Sequence, residues 1–123
     1  MRLIRKEQIT KPFEGPTGEH VYEMLGAPEH IGGAKGHSFS HVVISPGGAS
    51  RPHYHPVAEE TYYILSGEGR MLVDGLEHRL VPGDALLVLP PEVHQIFNDS
   101  QSDLEFIAVC APAWSPDNSV YLD

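Results

Sequence analysis

The chain has 123 residues, 41% of them hydrophobic, and a formal net charge of −9 from 17 acidic and 8 basic residues. This length predicts one domain, and this composition excludes a disordered chain. With no basic run longer than Arg5-Lys6, we expect neither a nucleic acid nor an anionic membrane surface as partner. The lone Cys110, the lack of a signal-like start and the lack of a membrane-length apolar run favour the cytoplasm.

Short apolar stretches separated by Gly and Pro predict an all-β sandwich or barrel. Asp74-Gly75 is typical of a two-residue hairpin turn, and a helical turn is expected at most near 28–30. The expected strands cover 21–25, 38–44, 50–54, 60–66, 69–73, 76–81, 85–89, 94–98 and 104–110.

We expect residues 1–123 to form a single domain whose core barrel covers about 36–112. The N-terminal arm 1–20 and the C-terminal tail 113–123 would pack on the barrel or on a partner subunit. The tail carries Trp114 and Tyr121, which are too apolar for a solvated segment, so a homodimer is expected.

Two histidines one residue apart, His53 and His55, carry the chemical signal of this sequence. In an extended strand, residues i and i+2 point to the same face, so both imidazoles project in one direction. Glu59 and Glu60 follow closely, and His94 begins a later strand pattern. Three imidazoles and one carboxylate suit one divalent ion such as Fe, Mn, Ni, Co or Zn.

The residues around these histidines fall into two blocks with fixed spacing. The first block contains Gly47, His53, His55, Glu60 and Gly67, and the second contains Gly75, Pro82-Gly83-Asp84, His94 and Asn98. Over residues 47–98 the pattern closely resembles the two signature motifs of the cupin superfamily. The second block departs from that pattern, because Pro91 stands where the family has Gly three residues before the histidine.

The resemblance implies a double-stranded β-helix, or jelly-roll, barrel with one metal ion inside its mouth. Carried over residue by residue, it implies His53, His55, Glu60 and His94 as metal ligands. Glu59 stays open as the alternative carboxylate, since the family tolerates either spacing.

Two further polar residues are candidates for contact with a substrate. Arg51 has the strand parity of His53 and His55 and would hold an acidic group, although an exposed edge position is equally compatible with Pro52 next to it. Tyr62 shares parity with Glu60 and would offer a phenol, although a packing role is the simpler interpretation. Asn98 is interpreted as structural, satisfying backbone groups at a strand end.

Three functions are compatible with this sequence. The leading hypothesis is a metal-dependent, oxygenase-type enzyme acting on a small oxygenated organic molecule. A sugar or sugar-phosphate isomerase or epimerase is the second, and it would require inward-facing Lys and Arg. The third is a non-catalytic module that binds a small ligand without turnover.

Overall fold

The structure, a computed structural model, describes all residues 1–123 and is almost entirely β. Three single 3-10 turns, Lys6–Gln8, Glu29–Ile31 and Pro116–Asn118, are its helical segments. The strands are β1 Phe13–Glu14, β2 Glu19–Leu25, β3 Ser38–Ile44, β4 His53–Tyr54, β5 Glu59–Ser66, β6 Gly69–Val73, β7 Leu76–Leu80, β8 Ala85–Val88, β9 His94–Phe97, β10 Leu104–Ala111 and β11 Val120–Tyr121.

The strands form two antiparallel sheets, as a jelly roll requires. One sheet has six strands in the order β1-β2-β3-β10-β5-β8, and the other has five in the order β11-β4-β9-β6-β7. Sequence neighbours are repeatedly separated in space, so strands distant in the chain meet side by side. The predicted double-stranded β-helix barrel is confirmed by this architecture.

The core lies between the two sheets because the strands alternate apolar inward residues with outward ones. On β5, Tyr62 and Ile64 are buried whereas Tyr63 and Leu65 are exposed. The core consists of Val42, Ile44, Tyr62, Ile64, Met71, Leu80, Val88, Ile96, Leu104 and Phe106.

Predicted and observed strands differ mainly at their ends. The strand expected over 50–54 contains only His53–Tyr54, since Pro52 has no N–H to contribute to a ladder. The Asp74-Gly75 hairpin is confirmed: it joins β6 to β7, and both residues have positive φ, 46° and 83°. The helical turn expected near 28–30 is the 3-10 turn at Glu29–Ile31.

Both ends of the chain add to the sheets. In the arm, β1 pairs with β2 at the edge of the larger sheet. In the tail, β11 pairs with β4, placing Tyr121 opposite His53. No helix is long and apolar enough to cross a membrane.

Candidate metal centre

Four side chains from three separate stretches of the chain converge inside the barrel, with Glu60 contributed by the larger sheet and His53 and His94 by the smaller sheet. They are His53 on β4, His55 just after it, Glu60 on β5 and His94 on β9, and one potential ligand atom from each lies within 4.8 Å of the others. The register His53↔His94 brings the two histidine segments together. His94 and Glu60 are only 1% and 7% exposed, so the centre is shielded from bulk water.

Each imidazole is fixed from behind by a backbone carbonyl. The Nδ1 atoms of His53, His55 and His94 lie 2.8, 2.9 and 3.0 Å from the carbonyl oxygens of Arg51, Asn118 and Glu92. Because a carbonyl oxygen only accepts hydrogen bonds, each Nδ1 must carry the proton. This leaves every Nε2 as the potential metal-binding nitrogen.

The Nε2 atoms crowd the Glu60 carboxylate. The Glu60 Oε1 atom lies 2.9 Å from the Nε2 of His94 and 3.3 Å from that of His55. With Nδ1 protonated, a neutral imidazole points its Nε2 lone pair at a carboxylate lone pair, and this contact is repulsive. The geometry therefore requires either a proton shared between the carboxyl group and an imidazole or a metal cation between them.

The pKa values of Glu60 and His53 favour their metal-binding forms, whereas for His55 burial is outweighed by the hydrogen bond to Glu60 and by the Glu60 charge, which raise the pKa. Burial alone would raise the pKa of Glu60, but hydrogen bonding to His55 and His94 outweighs burial and holds that pKa below its usual range. Burial, followed by the charge of His94, lowers the pKa of His53 to about 4. Glu60 is thus ionised and His53 neutral near pH 7, as metal ligation needs.

The two acidic candidates separate by strand parity. Glu60 points into the barrel, whereas Glu59 is exposed on the outer face of β5.

The turn before His94, where the sequence departs from the family pattern, contains a cis Pro90–Pro91 bond. The Glu92 carboxylate accepts a hydrogen bond from the Leu89 N–H at 2.6 Å within this turn.

A cavity of about 580 Å³ opens next to the four-residue cluster and is lined by His53, His55 and Glu60. The nearly inaccessible His94 is not among the lining residues. The rest of the cavity wall comes mainly from the inward faces of β2, β3, β5 and β10, from the segment 26–31 and from the tail, with Phe13 of β1 and Ser50 and Arg51 completing it. The size is typical of small-molecule sites, and the candidate ligands form one end of it.

The two candidate substrate-contacting residues both line this cavity. Tyr62 is 4% exposed and packs against the His94 and Phe106 rings. Burial, reinforced by the nearby Glu60 charge, raises its pKa well above its ordinary value, so the phenol stays protonated. Arg51 is partly exposed, and its guanidinium bonds to Asp123 at 2.9 Å and stacks 4.1 Å from the Tyr121 ring.

The structure also brings residues to the cavity that sequence reasoning gave no such role. Glu19 and Glu23 on β2, together with Trp114 and Tyr121 of the tail, line it. For the glutamates a signal existed in the sequence. Glu19, Val21, Glu23 and Leu25 follow one another at every second position of one strand, and residues two positions apart in a strand lie on the same face. For the tail residues no local signal exists, because only the fold returns the tail to β4.

Asn98 is a structural residue, as expected. It is fully buried, and its Nδ2 donates to the carbonyl oxygens of Ile44 and Ser102 at 2.8 Å. Its Oδ1 accepts from the Ser100 N–H at 3.0 Å.

Cys110 is buried as well, and burial raises the pKa of its thiol to about 12, so it is no nucleophile near pH 7.

Comparisons with known proteins agree with this geometry. Residues 40–110 match the family model for the Cupin domain. An oxalate-binding protein of Thermotoga maritima is 36% identical over 111 residues, covering 87% of this chain and 91% of that protein. The crystal structure of a predicted oxalate decarboxylase from the same organism superposes with a TM-score of 0.78 at 28% identity, covering 90% of this chain and 99% of the other.

A further relative is an oxygenase by name. The quercetin 2,3-dioxygenase of Bacillus subtilis is 33% identical over 88 residues. The match covers 68% of this chain but only 24% of the dioxygenase. The similarity therefore concerns about a quarter of a much longer protein.

Proposed function

This chain belongs to the cupin family, and from that premise we propose that it is a mononuclear metal-dependent enzyme of the oxygenase type. Its substrate would be a small oxygenated organic molecule bound in the cavity. The observation that carries the proposal is the orientation of the three imidazoles, each tied through Nδ1 to a carbonyl, with one potential ligand atom from each imidazole and from Glu60 within 4.8 Å of the others. The dioxygenase relative supports the reaction class.

The donor set fits one divalent ion, with Fe, Mn, Ni, Co and Zn all compatible with nitrogen and carboxylate ligands. His53, His55, Glu60 and His94 would hold it. When bound, such an ion would orient substrate oxygens and, if redox-active, support electron transfer to dioxygen. In octahedral coordination, four protein ligands would leave two further positions, and an ion held by these residues would be reachable from the cavity, as catalysis requires.

The remaining polar residues would position the substrate. Tyr62 keeps its proton and would donate a hydrogen bond to a substrate oxygen near Glu60. Arg51 lies at the rim with Tyr121 under its guanidinium. There it would hold the tail over the ligands and not bind an anion, because its Nε and Nη2 groups are already directed at the Asp123 carboxylate.

Sugar-phosphate isomerisation has less support. It would need several inward-facing cations for the phosphate, and Arg51 is the single Lys or Arg lining the cavity. Arg70, the other candidate for that cluster, pairs with Asp99 and Glu77 outside the cavity.

A specific observation does favour a second candidate, a binding module without turnover. The oxalate-binding protein covers nearly the whole chain at the highest of the identities given above. Ligand binding without substrate consumption, in the presence of each of the five metals, would identify this alternative.

The proposal is tested by metal analysis of protein purified with and without air. The wild type should carry about one transition-metal ion per chain, and His53→Ala and Glu60→Gln should carry almost none. His78→Ala is the matched control, since His78 is exposed on β7. Circular dichroism checks that each variant is folded. Full metal content in folded His53→Ala and Glu60→Gln would refute the metal site.

Oxygen consumption separates the candidate functions. Fe- or Mn-loaded protein that takes up dioxygen with a small oxygenated substrate supports the oxygenase. Activity that is equal with Zn, which has no redox chemistry, would refute it.

The assembly is proposed to be a homodimer formed through the outer face of the larger sheet. Trp114 and Tyr121, the sequence-based reason for a dimer, line the cavity instead. The outward positions of the adjacent strands β8, β5 and β10 nevertheless form an apolar strip that a second copy could cover. The strip consists of Tyr63, Leu65, Ala85, Leu87 and Ile107.

A further inference from the structure

The cavity is larger and more apolar than a small dianion needs. At about 580 Å³ it has room for about twenty water molecules, each taking about 30 Å³. A two-carbon dicarboxylate bound to the metal would leave most of this space wet. The apolar part of the wall includes Val21, Leu25, Ile31, Val42, Phe106 and Trp114.

The charged part of the wall has the wrong sign for an anionic ligand. Besides the metal-site residue Glu60, the cavity is lined by two further carboxylates, Glu19 and Glu23. Both belong to the inward face of β2. The one cationic side chain, Arg51, is already paired with Asp123. A dicarboxylate bound to the metal would therefore face two further carboxyl groups, and apart from the metal ion itself no unpaired cationic side chain lines the cavity to offset them.

These observations rest on the proposed metal site and refine it. We propose that the ligand of this site is an uncharged, mainly apolar ring compound that presents two neighbouring oxygens to the metal, and that Glu19 and Glu23 select against dicarboxylates. The apolar wall would hold the rings, and the cluster end would receive the oxygens. This separates the chain from its oxalate-binding relative despite their similarity.

Glu19 has a second property that suits a hydroxylated ligand. Burial, followed by the charge of Glu60, raises its pKa to about 7. Near neutral pH the carboxyl group exists in both forms, so it can accept or donate a hydrogen bond to a ligand hydroxyl.

The test uses full-length protein loaded with Co²⁺ under nitrogen at pH 8, where Glu19 is mostly ionised. The visible spectrum of Co²⁺ reports metal binding first and ligand binding second. Three probes are titrated: catechol, naphthalene-2,3-diol and oxalate. The two diols share one metal-binding group and differ by one ring, so their ratio measures the apolar wall alone. Burial of the second ring predicts roughly tenfold tighter binding of the naphthalenediol.

Charge selection is measured by comparing the affinity of the wild type and of each variant for the same ligand, oxalate. The intrinsic affinity of oxalate for the metal is then common to both measurements and cancels. Removing a facing carboxylate in Glu19→Gln should tighten oxalate binding about fivefold or more. Diol binding should tighten by a clearly smaller factor, because a diol that releases one proton on binding carries half the charge of oxalate, and the Gln amide can still donate and accept a hydrogen bond to its hydroxyl. Glu23→Gln repeats the test if Glu19→Gln does not fold. Glu7→Gln is the control, since exposed Glu7 lies outside the cavity.

The outcomes are distinguishable. A tenfold diol ratio together with oxalate gains in the cavity variants supports the inference. Equal binding of the two diols, or unchanged oxalate affinity in both cavity variants, overturns it while leaving the metal site intact. A wild-type chain that gives no protein-bound Co²⁺ spectrum overturns the proposed function and this inference together.

Discussion

Gly67 marks the end of the first motif block, and the structure explains why a side chain is excluded there. Its φ is +81°, and an added Cβ would lie 3.0 Å from the Leu104 Cα and closer still to the Asp103 carbonyl oxygen. Two effects act at Gly67, namely backbone strain from the positive φ and a steric clash of the Cβ. Gly83 has the strain without the clash, because its φ is +93° but an added Cβ meets nothing within 4 Å. The pair Gly67→Ala and Gly83→Ala thus compares strain plus clash with strain alone.

The expected losses follow from these two terms. A left-handed residue with a Cβ costs about 1–2 kcal/mol, which is the whole loss expected for Gly83→Ala. Forcing backbone apart at Gly67 adds about 1–3 kcal/mol, for a total of about 2–5 kcal/mol. A chain of this size has about 6–18 kcal/mol of stability, so both variants should still fold.

The assay is urea denaturation followed by far-ultraviolet circular dichroism, with a chelator present so that metal binding does not contribute. Gly67→Ala should have the lower midpoint at an unchanged slope. Equal losses in the two variants would refute the argument, since the close approach to Asp103 would then cost nothing.

Three further predictions address the cavity, the strand end and the outer sheet face. Because the pKa of Glu19 rises from 4.5 to about 7 on folding, its contribution to stability is lost as pH increases from about 4.5 to 7. In urea titrations, the free energy of unfolding of Glu19→Gln should therefore be about 1–3 kcal/mol higher than that of the wild type at pH 8 and equal to it at pH 4. The same difference in unfolding free energy at both pH values would contradict this. Asn98→Ala, which deprives the buried Ile44 carbonyl of its Asn98 donor, should cost about 1–3 kcal/mol without changing metal content; loss of metal from the folded variant would show that Asn98 is more than structural. Leu87→Glu should convert the dimer to a monomer in light scattering, with Glu77→Gln as control; a monomeric wild type would refute the dimer.

The candidate site was predictable from sequence to the extent that its signals are local. His53 and His55 share a face through the two-residue strand period, and the same period separates Glu60 from Glu59. Tyr62 follows the same rule. His94 was placed by its resemblance to the second motif, because nothing local links residues 41 positions apart in the sequence.

The polar surroundings of the site were not predictable in this way. The carbonyl of Asn118 that fixes His55, and Asp123 that pairs with Arg51, both come from a tail whose path is set by packing. The sequence predicted Trp114 and Tyr121 to be interface residues, because it does not show that the tail packs over the cavity. An apolar residue in a tail must be covered, but its sequence does not state by what.

The amino-acid sequence by itself determined the strand pattern, the Asp74-Gly75 turn and the types of metal-binding group. Those features depend on backbone periods and on the chemistry of single side chains, which neighbours in the chain are sufficient to define. Only the tertiary structure decided which carbonyls orient the imidazoles, that Glu19 faces the cavity near Glu60, and that the tail closes over it. Such contacts join residues far apart in sequence, and they arise only when two sheets fold together and bury one shared interior.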